Sequence, residues 1–239
     1  MDVCSLADFL SHQEPIINRP CSQWPPQDTK HETSYLGPNG QLTFQSSTDE
    51  ATLAYQADAA VQQMDQDTDK LCFTHTFEQT CTLHGSARAV LCMSTNEHDD
   101  MDVHVQLRIN IPKSDRGAVS MTEVEPINPM IYLGPTGALR ASYRALDHEL
   151  STEHWPEHTF SRSEELQAGQ VVKLEIGLWQ TGIRFEAGEK LVLKVSGHPL
   201  ALAEFPLLRG AIPNANTGKH VIHVGGERAS HLVIPVVES

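Results

Sequence analysis

The stretch Asp102-Val103-His104-Val105-Gln106-Leu107-Arg108-Ile109-Asn110-Ile111 decides the fold. Val103, Val105, Leu107 and Ile109 alternate with Asp102, His104, Gln106, Arg108 and Asn110, a period of two that gives a strand one apolar and one polar face. The same alternation recurs further along. Val172, Leu174, Ile176 and Leu178 stand against Lys173, Glu175 and Gly177, and Leu191, Leu193 and Val195 against Lys190, Val192 and Lys194. The last run places Leu232, Ile234 and Val236 on one side. Turn residues separate the runs: Gly134-Pro135-Thr136-Gly137, Ala168-Gly169, Ala187-Gly188-Glu189-Lys190 and Gly225-Gly226. With almost no helical period, no βαβ alternation and no internal repeat, the pattern predicts an all-β fold. The expected architecture is a jelly-roll β-sandwich of two antiparallel sheets.

Upstream the pattern is weaker. Residues 1–30 hold a short helical possibility, Leu6 to Leu10, and then Glu14-Pro15, Arg19-Pro20 and Trp24-Pro25-Pro26, which predict an irregular N-terminal arm anchored by Trp24. The sandwich domain is expected over 31–239. Within it, the acidic tract from Gln45 to Lys70, with Asp58, Asp65, Asp67 and Asp69, predicts a long surface loop. Leu71-Cys72-Phe73-Thr74-His75 then opens a succession of short strands.

The 239 residues are 39% hydrophobic and 20% charged, with no apolar run long enough to cross a bilayer. Asp2 and Asp8 sit where a signal peptide would be basic and then apolar, so a cytoplasmic location is expected. Seventeen Lys and Arg against 31 Asp and Glu give a net charge of -14, which disfavours nucleic acid and anionic membranes as partners. Of the five cysteines, none is spaced as a zinc ligand, and all are expected to be reduced. Cys72 and Cys92 are expected to fill the core.

From about Trp24 onward, and most specifically in the last hundred residues, the sequence resembles the C-terminal β-sandwich domain of the X-prolyl dipeptidyl-peptidase and cocaine-esterase (CocE/NonD) hydrolases. The resemblance is carried by Leu139-Arg140-Ala141-Ser142-Tyr143-Arg144, by Val171-Val172-Lys173-Leu174-Glu175-Ile176 and by Trp179-Gln180-Thr181-Gly182. It continues through Phe185-Glu186-Ala187-Gly188-Glu189-Lys190 and the strand after it, then Pro213-Asn214-Ala215-Asn216-Thr217-Gly218, His223-Val224-Gly225-Gly226-Glu227 and Ser230-His231-Leu232-Val233-Ile234-Pro235-Val236. In that family the sandwich follows an α/β-hydrolase domain that supplies the serine, aspartate and histidine. This sequence has no G-x-S-x-G nucleophile elbow; His84-Gly85-Ser86-Ala87 is the nearest fragment and lacks the second glycine. The family's hydrolytic activity is therefore not carried over. The loop Ser151 to Thr159 and the segment Asn96 to Ile111 depart from the family's usual pattern, in a part of the sandwich that faces the hydrolase domain in relatives.

Candidate functional residues are few. Tyr143, His154 and His158 bring hydrogen-bonding and proton-transferring groups into one stretch with His148, and are the expected catalytic set. His104, Trp155 and Trp179 are the expected substrate-binding residues, His104 on the polar face of its strand and the two indoles as apolar walls. The bland alternatives are a solvated strand for His104, a pinned loop for Trp155-Pro156 and rim packing for Trp179, which is expected to end its strand. Glu97, His98, Asp99, Asp100 and Asp102 carry oxygen ligands suited to a hard cation, although such loops are more often merely solvated. His220 and His223 fall on opposite sides of one strand and cannot share a metal. No metal or cofactor is expected.

Three functions are compatible with these residues. The first is a stand-alone protein that binds a hydrophobic small molecule and acts as a cofactor-independent cyclase or isomerase of a natural-product intermediate, by shape, orientation and a few hydrogen bonds. The alternative is a non-catalytic binding or interaction module that partners a separately encoded hydrolase. A residual serine hydrolase ranks last. A homodimer through an exposed sheet face is compatible with any of them.

Overall fold

A computed structural model describes residues 26, 28–59, 68–110, 134–200 and 214–237, the side chains of Ile109 and Asn110 excepted. The helical possibility at Leu6 to Leu10 and the anchor Trp24 lie outside the described residues. Within them the strands are β1 (Thr29–Leu36), β2 (Leu42–Thr43), β3 (Ala51–Gln56), β4 (Lys70–Thr76), β5 (Cys81–Thr95) and β6 (Asp102–Asn110). They continue with β7 (Thr136–Arg140), β8 (Val172–Phe185), β9 (Lys190–Ser196), β10 (Lys219–Val224) and β11 (His231–Val237).

These strands form two antiparallel sheets, the sandwich that the alternation predicts. The larger runs β2-β1-β11-β5-β10-β3, with β8 paired to the other edge of β5, and the smaller runs β4-β9-β6-β7. On β6 the apolar face is directed inward, with Val103 and Leu107 at 0% exposure. Leu174, Leu178, Leu193, Leu232 and Ile234 meet them in one core, where each fully buried aliphatic side chain contributes roughly 1.5–3 kcal/mol. Phe77 and Phe185 close one end with ring centroids 4.7 Å apart.

Long β5 organises the large sheet. One of its edges pairs with β8 along almost its whole length, and the other pairs first with β11 and then with β10. Strands β10 and β11 thus lie in line along β5, His223 opposite Cys92 and His231 opposite Val90, with residues 225–230 raised out of the ladder between them. Ser230 closes the base of this excursion. Its hydroxyl donates to the carbonyl of His223 at 2.6 Å and accepts from the amide of Cys92 at 2.9 Å.

Four expectations need correction. The tract Gln45 to Lys70 is not one loop, because Ala51–Gln56 is strand β3, paired with β10 and directing Tyr55 into the core at 2% exposure. The polar face of β6 is not solvated along its middle: Gln106 is 0% exposed and Arg108 is buried, while Asp102 and His104 are half-buried. Cys72 is exposed and Cys92 half-buried, since each falls on the outer face of its strand and neither fills the core. Trp179 does not end a strand; the β5–β8 register shifts there, Ala87 opposing Leu178 and Gly85 opposing Thr181, so Trp179 and Gln180 bulge outward.

Candidate functional site

At the rim of the small sheet, where β6, β7 and β9 end together, lies a cavity of ≈ 320 Å³. His104, Leu139, Arg140, Phe160, Pro199 and Asn214 are among the residues that line it. Asp102 and Arg140 face each other across the β6–β7 ladder, so their side chains meet in a two-pronged ion pair with both contacts at 2.7 Å. The guanidinium holds the Asp102 carboxyl below its ordinary range despite the opposing effect of burial. Two residues along the same face, burial pulls His104 down to about 4, with the Asp102 charge opposing and His198 adding to the fall. Its imidazole is therefore neutral at pH 7, and it makes no hydrogen bond among the described residues.

Phe160 is the residue that sequence reasoning missed. It lines the cavity, is 61% exposed, and sits at φ 48, in the left-handed region that bulky side chains avoid. Nothing in its sequence context signals this conformation.

A polar frame fixes the rim from behind. The Asn216 side chain donates to the carbonyls of Asp102 at 2.9 Å and Gly197 at 2.7 Å, and accepts from the Asp102 amide at 2.8 Å, which ties β6 to the end of β9. Asn214 donates to the carbonyl of Ala57, and Asp100 accepts from both the amide and the hydroxyl of Ser142. Deeper still, His198 and Asp69 share a 2.9 Å contact at 0% and 1% exposure. His220 shares a 3.0 Å hydrogen bond with the Tyr55 hydroxyl, and burial pulls this histidine down to about 4 while raising the tyrosine. In the acidic loop Asp100 is engaged by Ser142, Asp102 by Arg140 and Glu97 by the amide of Lys219. Among the described residues no three His, Cys, Asp or Glu side chains are grouped to hold a metal ion.

The expected site residues fall into separate places. Phe160 joins Tyr143 and His158 to the cavity side that His104 occupies, with ring centroids 6.0 Å and 5.8 Å from its own. His158 also bonds the carbonyl of Glu175 at 3.0 Å and so fastens the loop to β8. His154 and Trp155 lie elsewhere, over the outer face of the large sheet. There His154 stacks on His31 with centroids 4.0 Å apart, and Trp155 lies flat over Gly177. A β-carbon at Gly177 would come within 2.8 Å of the indole, so the strand carries glycine where the ring rests. Trp155 pins its loop on β8, and Trp179, 73% exposed, is not among the residues that line the rim cavity.

One serine does stand beside an imidazole: Ser94 Oγ is 2.9 Å from Nε2 of His223. No carboxylate bonds the other nitrogen of that ring among the described residues, so the pair is not a hydrolytic triad. The described residues thus define an antiparallel β-sandwich with an open rim cavity and no nucleophile–base–acid relay. The chain belongs to the X-Pro dipeptidyl-peptidase C-terminal non-catalytic domain family, whose model matches residues 9–233. Two structures of a CocE/NonD family hydrolase from Staphylococcus aureus are similar at 27% identity, with TM-scores of 0.76 and 0.77 over 92% of this chain. An aminopeptidase from a marine-sediment Thaumarchaeota archaeon shares the fold at 17% identity and a TM-score of 0.65, over 97% of this chain and 43% of its own. The chain spans only 38% and 39% of the two Staphylococcus aureus hydrolase chains. No curated protein matches the sequence. Among the described residues, no helix is long and apolar enough to cross a membrane.

Proposed function

We propose that this domain is a non-catalytic recognition module that works beside an α/β-hydrolase-type catalytic unit, presenting the rim cavity to part of the molecule on which that unit acts. One observation carries the reading. The chain matches a non-catalytic domain over almost its full length, yet covers less than two-fifths of the hydrolase chains most like it among those described. The cavity supports it with an apolar wall from Leu139, Pro199 and Phe160, a neutral imidazole from His104 and a fixed charge pair from Asp102 and Arg140.

The test mixes the full chain with the catalytic part of a CocE/NonD-type hydrolase that lacks its own sandwich. The domain alone should leave p-nitrophenyl acetate unhydrolysed above buffer, and the mixture should show a higher kcat/KM than the catalytic part alone. His104→Ala and Phe160→Asn should remove the gain. A mixture no faster than the catalytic part by itself overturns the reading.

A second reading, the cofactor-independent cyclase or isomerase, is favoured by the His104 imidazole, which is neutral and unbonded at the mouth of a partly apolar cavity. Such a ring can accept or relay one proton while shape does the rest. Its signature is isomeric: deleting the gene should make a metabolite accumulate whose mass equals that of the product that disappears. A metabolite profile unchanged by the deletion removes this reading.

A further inference from the structure

A second cavity, of ≈ 390 Å³, shares no lining residue with the rim cavity and lies where the outer face of the large sheet meets the excursion between β10 and β11. Its lining includes Glu50, Thr52, His223, Gly225 and Arg228. The backbone builds this place deliberately. His223 pairs with Thr52 on β3 and with Cys92 on β5, so the imidazole stands on the sheet between two strands. Just beyond it the chain leaves the ladder at Gly225, φ 73, where a β-carbon would collide with the backbone of Asp49. The excursion then brings Arg228 back to the cavity that the imidazole lines.

The charges around the cavity are unspent. Arg88, Arg140, Arg144, Arg162 and Arg184 are each ion-paired, and Arg108 is engaged as well. Arg228 alone among the arginines of the described residues has neither an ion pair nor a hydrogen bond, in a chain of net charge -14. Glu50 lines the same cavity and is likewise unpaired among the described residues. Between them the imidazole of His223 is fixed by Ser94, a buried hydroxyl 2.9 Å from Nε2, while Nδ1 has no partner among the described residues. Burial, and secondarily Arg228, lowers the pKa of His223, so the ring is neutral and Nδ1 can serve as a hydrogen-bonding group.

We propose that this cavity binds a small zwitterion of the α-amino-acid type, with the carboxylate on Arg228, the ammonium on Glu50 and the imidazole of His223 as a third contact. A guanidinium binds a carboxylate in two-pronged geometry. A simple anion is repelled by Glu50 and a simple cation by Arg228, so only a ligand carrying both charges satisfies the pair. Ser94 touches no ligand; it is a positioning residue that orients the ring.

The test is an NMR titration of the full chain with L-alanine, alaninamide, N-acetylalanine and acetate. L-Alanine should give saturable shifts confined to residues 50–52 and 223–228. Each probe lacking one charge should bind at least about tenfold more weakly, as should Arg228→Ala and Glu50→Gln, the loss expected for one charge-assisted hydrogen bond. Both side chains are exposed, so these variants should melt like the parent. Ser94→Ala should weaken binding and Ser94→Thr restore it, a rescue that a packing role would not produce. Acetate binding as tightly as alanine, or no saturable shift at those residues, overturns the proposal.

Discussion

Asn216 makes three hydrogen bonds to two different strand ends, and each of its partners is a backbone group that no other side chain reaches in the same way. Asn216→Ala leaves those groups without partners, so unfolding free energy should fall by about 2–3 kcal/mol. An unfolding free energy within about 0.5 kcal/mol of the parent, by urea denaturation, would show that water replaces the amide without cost. Phe160 predicts the opposite sign. Its left-handed backbone costs about 1–2 kcal/mol that asparagine largely avoids, so Phe160→Asn should leave stability equal or higher while weakening whatever the cavity binds. A variant that is clearly less stable would mean that the aromatic ring packs for the fold after all.

At the scale of elements, Gly177 shows how one absent side chain lets a loop lie on a sheet. Gly177→Ala sets a methyl against the indole of Trp155 at 2.8 Å, and lifting the loop should cost about 1–3 kcal/mol by urea denaturation. It should also disturb the His31–His154 stack, visible as shifted imidazole resonances. Strands β6, β8, β9 and β11 were legible in the sequence because one face of each is buried, and period two records that directly. Strand β3 was not, because its inward set Ala51, Leu53 and Tyr55 holds one large aliphatic residue between a small and a polar-tipped one, and acidic residues flank it. His104 could be picked out as a polar residue on a clear strand. The pairs Ser94–His223 and His198–Asp69 could not, since each spans 129 residues and only the sheet register brings them together. The outer face of β6 misled for a related reason: alternation tells which residues face the core but not what covers the other side.

Across the whole molecule, pH acts through buried imidazoles. His104 and His220 are both pulled down to about 4 by burial, from an ordinary value near 6.5. Between those values the unfolded chain binds protons that the folded chain refuses, so stability falls as pH drops from about 6.5 towards 4. The Asp102 carboxyl, held low by Arg140, adds its own loss at still lower pH. The expected result is an unfolding free energy, by urea denaturation, that declines steeply between pH 6.5 and 4.5, by a few kcal/mol, and a shallower decline when His104 and His220 are both replaced by glutamine. An unchanged slope in that double variant would place the acid sensitivity elsewhere.

The pairing of β1 with β11, and of β5 with strands that come more than a hundred positions later, bears on how the chain is made. During synthesis β5 must wait with one edge bare until β10 and β11 leave the ribosome, and β1 has no neighbour but short β2 until the same moment. Such late closure predicts slow maturation and a nascent chain that depends on chaperones. A stop codon placed before β11 should therefore yield aggregate, not a smaller soluble sandwich.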